Sequence, residues 1–282
     1  MGERWLVAFA SVAAALVALA ALWLVGTLLV HGLPELSWTL LTAAPLDAGR
    51  AGGIGPIIVA TLLIVGVAMA SAVPLALGTA VLISELTPPG SRLADAVRRC
   101  VDALAAVPSI VFGLFGNALL CKALGLGFSI LSGGLTLACM VLPILTRATL
   151  LGLRSVPLAD RLGAAALGLS RTSTLLHVVL PAARRALVVG LVLGIGRALS
   201  ETAALIFTSG YVDRMPRSVF DSGRALSVHI LDLSLNVPGG TERAYAASVV
   251  LLGLLLAINA CASLLAHRWL GRDTVGLGAI RP

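Results

Sequence analysis

The residues best suited to do chemistry stand in GRALSETAALIFTSG, residues 196–210, inside a long apolar run. Arg197 and Glu201 lie four positions apart there, accompanied by the hydroxyls of Ser200, Thr202 and Thr208. At the centre of a membrane helix, an arginine or a carboxylate costs about 2.5–3.5 kcal/mol on the apparent insertion scale. Left unpaired, the two together would cost the span roughly 5–7 kcal/mol by simple addition. On a helix the pair shares a face and partly neutralises itself, although Arg before Glu is the weaker order. That order predicts a further reach to a neighbouring helix. Ionisable groups at membrane depth face a bundle interior or an aqueous cavity. A guanidinium suits a tetrahedral oxyanion because its planar fork donates two parallel charge-assisted hydrogen bonds. Arg197, Glu201 and Thr208, the hydroxyl nearest the same face, are therefore candidates for the lining of a translocation pathway. The competing reading is a structural pin, an ion pair that fixes helix packing and never meets a substrate.

The rest of the chain must hold that pair inside a membrane. Of 282 residues, 59% are hydrophobic and only 12% charged, and the mean hydropathy is +1.03. A soluble globule needs more polar surface than this to face water, so the class is an all-α polytopic membrane protein. About 20 apolar residues cross the hydrocarbon core as a helix. Six stretches qualify: roughly 5–30, 57–83, 104–124, 129–146, 186–209 and 245–266. The first apolar run is longer than the h-region of an ordinary signal peptide, which makes it an uncleaved span.

Basic residues set the orientation. With the N-terminus inside, the cytoplasmic side holds Arg4, Arg92, Arg98, Arg99, Arg147, Arg154, Arg161, Arg171, Arg184, Arg185, Arg268, Arg272 and Arg281. Set against six acids, these carry the whole +7 of the chain. The outer loops balance to zero, and Arg197 cancels Glu201. Both termini are therefore expected in the cytoplasm. The basicity is explained by topology and does not require nucleic acid. Cys100, Cys121, Cys139 and Cys261 are scattered singly, which predicts small buried hydrophobes rather than a metal site or disulfides. Asn117 could line a cavity or bond to another helix. Pro74 and Pro143 are expected to kink their spans, and His31, His177, His229 and His267 to be solvated near span ends.

The inner loop 147–185 has its own pattern. Pro157 suits a helix start, Leu158 to Leu167 an Ala-rich helix, and Gly168 the left-handed residue that ends it. Ser170 can cap a second helix that runs to Leu180, where Pro181 is expected to interrupt it. The small surface around Gly163 to Gly168 would let another protein approach closely; an amphipathic helix lying on lipid is the alternative.

This loop resembles the signature loop of ABC-importer permeases, E-A-A-x-x-x-G followed by a distal L-P. Gly168 and Leu180-Pro181 fit that spacing; Leu162 replaces the consensus Glu, Gly163 replaces an Ala, and Ala164 matches. With VPSIVFGLFG (107–116), GRALSETAALIFTSG and NVPGGTERAYA (236–246), the chain resembles the PstA-type permease subunit of bacterial phosphate importers from about Gly53 to Leu265.

The resemblance implies a type I ABC-importer permease fold of six spans. An N-terminal helix and first outer loop would occupy 1–50. The permease core would occupy 51–270, with a coupling loop at 147–185 and an outer loop at 210–244, and a cytoplasmic tail would follow at 271–282. It implies inorganic phosphate as cargo, and a second, PstC-like permease sharing the pathway. Two copies of a PstB-like ATPase would bind below, with Asp160, Arg161, Gly163, Ala164, Gly168 and Pro181 as this chain's coupling-loop contacts. A PstS-like binding protein would deliver phosphate from outside, where segment 224–240 reads as a short helix ending at a Pro-Gly-Gly turn. No cofactor is expected here, since ATP would be bound by the partner and the sequence has no phosphate-binding loop of the G-x-x-x-x-G-K-[ST] type. Arginine and hydroxyls would equally suit molybdate or sulfate. A stand-alone secondary transporter is a more distant alternative, with no internal repeat to support it. For a membrane enzyme, no nucleophile–base or metal-ligand set appears at membrane depth.

Overall fold

The computed structural model describes residues 2–88 and 90–270. Pro89 and the tail 271–282, including Arg272 and Arg281, lie outside the described residues, as do the side chains of Arg4, His267 and Arg268. The described residues are mostly helical, with one small hairpin and an irregular segment at 207–225. Helix α1 (Gly2–Gly32) is followed by the short α2 (Trp38–Thr42) and by strands β1 (Pro45–Leu46) and β2 (Ala51–Gly52), paired antiparallel. Next come α3 (Gly55–Val81), α4 (Arg92–Ala106), α5 (Ser109–Gly116) and α6 (Ile130–Arg154). Then follow α7 (Leu158–Ala166), α8 (Arg171–Thr174), α9 (Leu180–Leu199), α10 (Ala203–Ile206), α11 (Leu226–Leu235) and α12 (Thr241–Leu270).

Among the described residues, five helical stretches are each long and apolar enough to cross a membrane: 5–32, 55–86, 130–154, 171–199 and 241–264. The expected span at 104–124 is not one helix. It is α4 and α5, bent by 102° across Val107 and Pro108. Proline removes a backbone donor, and its ring drives the preceding residue out of the helical region; Val107 is accordingly extended, with ψ 128°. Together α4, α5 and the wider π turns from Asn117 to Ala123 are long and apolar enough to count as one bent span, the sixth. Helix α4, RLADAVRRCVDALAA, is amphipathic, the pattern of a helix that lies along an interface.

Two further boundaries differ from expectation. Pro181 does not interrupt its helix: α8 continues through π turns at Leu175–Val179 directly into α9, as one run from Arg171 to Leu199. The wider turn just before Pro181 accommodates its missing donor. At the other end this span stops at Leu199, ten residues before its expected limit at 209.

Helix α6 is the central element, packed along α3 on one side and α9 on the other. Lipid is as apolar as a leucine side chain, so close backbone approach drives such packing in membranes. Small residues provide it here. A Cβ on Gly134 would lie 2.5 Å from Val67, and Cβ atoms on Gly190 and Gly194 would lie 2.8 Å from Ala148 and Val141. Ile64, Leu137, Val141, Leu145, Leu199 and Leu205 fill the contact. Helix α1 runs along α12, where the rings of His31 and Tyr245 stack at 5.1 Å. Asn117 donates to the Phe207 carbonyl at 2.8 Å, the interhelical of its two expected roles. Cys121 is buried, while Cys100, Cys139 and Cys261 are on outer helix faces rather than in the core.

Helix α11 caps one end of the bundle against α12 and α3. His229, expected in solvent, is fully buried on it and packs beneath the hairpin turn. Asp47, Ala48 and Gly49 all have positive φ there, and a Cβ on Gly49 would lie 2.9 Å from His229 Cε1. Arg224 lies between the His229 ring, 3.4 Å from Nδ1, and the Asp232 carboxylate at 3.3 Å. Burial, and then the Arg224 charge, push the His229 pKa down to about 4. The unfolded chain therefore takes up a proton below about pH 6.5 that the folded chain refuses, and stability falls as pH falls toward 4. Acidifying from about pH 7 to about pH 5 is expected to cost roughly 2 kcal/mol through this group. His229→Gln is expected to flatten that part of the dependence of the thermal unfolding midpoint on pH; an unchanged slope would contradict the assignment.

Candidate functional site

The α9 run stops at Leu199, within the apolar sequence 186–209 rather than at its end. Ser200 closes α9 at φ −84°, ψ −4°, and α10 restarts at Ala203. Glu201 and Thr202 are left between the two helices. A chain that leaves a helix in hydrocarbon must satisfy its freed backbone groups by other means. The Ser200 hydroxyl donates to the Arg197 carbonyl at 3.1 Å, and the Ser227 hydroxyl on α11 donates to the Glu201 carbonyl at 2.6 Å. The next backbone donor along, Leu226 N–H, bonds to Thr61 Oγ1 of α3 at 2.8 Å. The first turn of α11 thus stitches the break to α3.

Arg197 occupies the last turn of α9, where the helix dipole favours a cation. Its Nη2 lies 3.0 Å from Glu201 Oε2. The helix break removes the penalty expected from the Arg-before-Glu order, because Glu201 is no longer held in helical geometry. The expected reach to a neighbouring helix is not seen for these side chains among the described residues; the pair is local. Its two members differ in exposure. The Glu201 side chain is 6% exposed and that of Arg197 is 47%. The carboxylate is part of the core, and the guanidinium looks out of it with most of its five N–H donors unused.

Thr208 is elsewhere. Its side chain is fully buried and donates to the Ala204 carbonyl at 2.8 Å, with its methyl against Gly116 of α5. Its own carbonyl accepts from Ser129 N–H at 3.1 Å. None of its hydrogen bonds goes to Arg197 or Glu201. Ser200 and Thr202, one exposed and one half-buried, are the hydroxyls beside the pair in sequence.

The six residues of the inner loop form a second, separate group at the end of the bundle where α6 emerges. Pro157 caps α7, and Gly168 ends it at φ +75°, in the left-handed region open to glycine. Ser170 Oγ accepts from Ser173 N–H at 3.2 Å and starts α8. Arg161 is anchored twice, to Glu85 Oε2 at 2.5 Å and to the Leu153 carbonyl at 2.7 Å, so α7 is tied to the ends of α3 and α6. Ala164 is buried, while Asp160, Gly163, Gly168 and Pro181 are exposed. Gly163 has open space where a Cβ would be. Leu158, Leu162 and Leu167 project into solvent beside them, 60–82% exposed. Glu85, which anchors Arg161, is a contact that the loop sequence alone could not reveal. Among the described residues no group of three or more metal-ligating side chains comes together.

Comparison with known proteins identifies the family and the fold. The chain is 30% identical to the Bacillus subtilis Probable ABC transporter permease protein YqgI, covering 92% of this chain and 91% of that one. It is 33% identical to the Mycobacterium tuberculosis phosphate transport system permease protein PstA 1, covering 81% and 75% of the two chains. The PstC 1 permease of that organism is 36% identical over 64% of this chain and 60% of its own. Among solved structures, a bacterial ABC transporter that imports the acidic polysaccharide alginate superposes with a TM-score of 0.64. That match covers 91% of this chain and 95% of the other, at 16% identity. The methionine ABC transporter MetNI, in an inward-facing conformation, gives 0.60 over 76% and 96%, also at 16% identity. These two likenesses establish the fold, that of type I ABC-importer permeases. Residues 72–273 match the family described as binding-protein-dependent transport system inner membrane component, and the chain belongs to that family.

Proposed function

We propose that this permease subunit carries inorganic phosphate through a pathway lined by Arg197, with its N- and C-termini in the cytoplasm. The observation that carries the proposal is the asymmetry of the ion pair: a buried carboxylate holding a half-exposed guanidinium at the break between α9 and α10. Glu201 orients Arg197 and cancels its net charge. The free edge of the guanidinium can then donate to an oxyanion without becoming a deep cationic trap, which a pathway must avoid because it has to release its cargo. The similarity to phosphate permeases PstA 1 and PstC 1 supports phosphate over sulfate and molybdate. The match to PstC 1 also supports a second, homologous permease, which would face Arg197 across the pathway.

The inner loop supports docking on an ATPase. Its exposed leucines and open glycine form a small apolar surface, and the Arg161–Glu85 pair transmits force from that surface to α3. ATP is bound and hydrolysed by the partner, one copy under each permease. An extracytoplasmic binding protein delivers phosphate to the opposite face, near α11. The excess of arginines on the coupling-loop side supports the assigned orientation.

ATP-dependent uptake of labelled phosphate into proteoliposomes, with co-expressed partners and binding protein, tests the reading. Excess sulfate and molybdate should leave uptake unchanged; competition by either would overturn the cargo assignment. Arg197→Ala should lower uptake at least tenfold while the complex assembles and hydrolyses ATP. Loss of assembly instead would support the pin. At the coupling surface, Gly163→Leu fills open space and should leave the chain folded while it lowers transport-coupled ATP hydrolysis. Undiminished coupling would remove α7 from the docking surface.

A further inference from the structure

A second basic site lies between α4 and α6, away from the ion pair and from the exposed leucines. A cavity of about 150 Å³ is lined by Ile83, Arg98, Asp102, Thr146, Arg147 and Arg154 among others. That is room for several waters or for one tetrahedral phosphate group. Three arginines face one carboxylate. Arg147 Nη2 donates to Asp102 Oδ1 at 2.6 Å, which uses that carboxylate. Arg98 makes only a distant 3.7 Å contact to Asp95, and its Nε is buried with no partner. Arg154 has no carboxylate partner among the described residues.

Thr146 is the independent sign of a ligand. Thr61, Thr136 and Thr208 each donate their buried hydroxyl to the carbonyl four residues back. Thr146 is only 1% exposed, and its hydroxyl has no partner among the described residues. A buried polar group is ordinarily satisfied, and one that is not calls for an occupant or a water. An anion would satisfy the Thr146 hydroxyl, the Arg98 Nε–H and the uncompensated charge together. Amphipathic α4 turns 102° away from α5 and forms one wall, which is where an interfacial helix would meet lipid headgroups.

We infer that Arg98, Thr146, Arg147 and Arg154 form a binding site for a phosphate group, distinct from the translocation pathway. The group can come from an anionic phospholipid of the adjoining leaflet or from free phosphate. Only the naming of that leaflet as cytoplasmic rests on the orientation proposed above; binding itself does not.

The test uses the full chain purified with its co-expressed partners and no binding protein. Native mass spectrometry counts phosphatidylglycerol against phosphatidylcholine retained from mixed vesicles, and calorimetry titrates inorganic phosphate into the lipid-free sample. Selective retention of phosphatidylglycerol, weakened about tenfold by Arg154→Gln and by the near-isosteric Thr146→Val, identifies a lipid headgroup site. Phosphate binding with the same sensitivity, and no lipid selectivity, identifies a free-anion site. Arg154 is exposed, so its variant should fold. Equal retention of both lipids with no phosphate binding by the wild type, or binding indifferent to both substitutions, would overturn the inference. A failure here with phosphate uptake intact would leave the proposed function standing, and the reverse pattern would leave this site standing.

Discussion

The structure depends on the interruption between α9 and α10 at Ser200–Thr202. Neighbouring side chains take up backbone groups freed there, and the contacts of α11 with α3 follow from that need. Ser227 takes the Glu201 carbonyl, Leu226 N–H takes Thr61, and α11 becomes a fixed part of the bundle rather than a free loop. Beyond the break, the segment through Ser209 is held by Asn117 of the α5 extension and by Ser129 at the start of α6. The break also brings together what a continuous helix would hold in a poorer arrangement. Glu201 turns back into the core and meets Arg197 at 3.0 Å, leaving the guanidinium half in the open.

Much of this was legible in the sequence, and what was not has identifiable causes. Long apolar runs located the spans because insertion energy sums over about 20 residues and tolerates local detail. Gly168 and Ser170 marked the turn between α7 and α8 because left-handed φ and hydroxyl capping are local chemistry. The break at 200–202 was invisible for the opposite reason: SETA holds no glycine or proline, and the stop is imposed by partners on α11 and α3, distant in sequence. Two prolines misled in opposite directions. Pro181 looks like a breaker, but π turns absorb it; Pro108, inside an apolar run, bends its span through a right angle.

Charge was the feature most open to two readings. Arg98, Arg147 and Arg154 count equally in a topology argument, yet the fold collects them round one cavity with an unsatisfied threonine. Arg161 and Glu85 are 76 positions apart and become one anchor for α7. His229, near a loop, looked solvated; the hairpin turn at Asp47–Gly49 covers it, a contact that no local pattern announces. Pair identity across helices is a property of packing, and packing here follows from which small residues let α3, α6 and α9 approach.

The central claim is that the half-exposed edge of Arg197 faces water in the assembled transporter. Ser200 is its exposed neighbour at the break and takes no part in the ion pair. The most direct measurement is the rate at which Ser200→Cys reacts with a membrane-impermeant thiol reagent, in a background without Cys100, Cys121, Cys139 and Cys261. Reaction that changes rate between ATP-bound and nucleotide-free complex is the result expected of a pathway that opens alternately to each side. A thiol that stays unreactive in both states, in a complex that still transports, would mean the pair is sealed against a neighbouring helix and serves only to hold the bundle together.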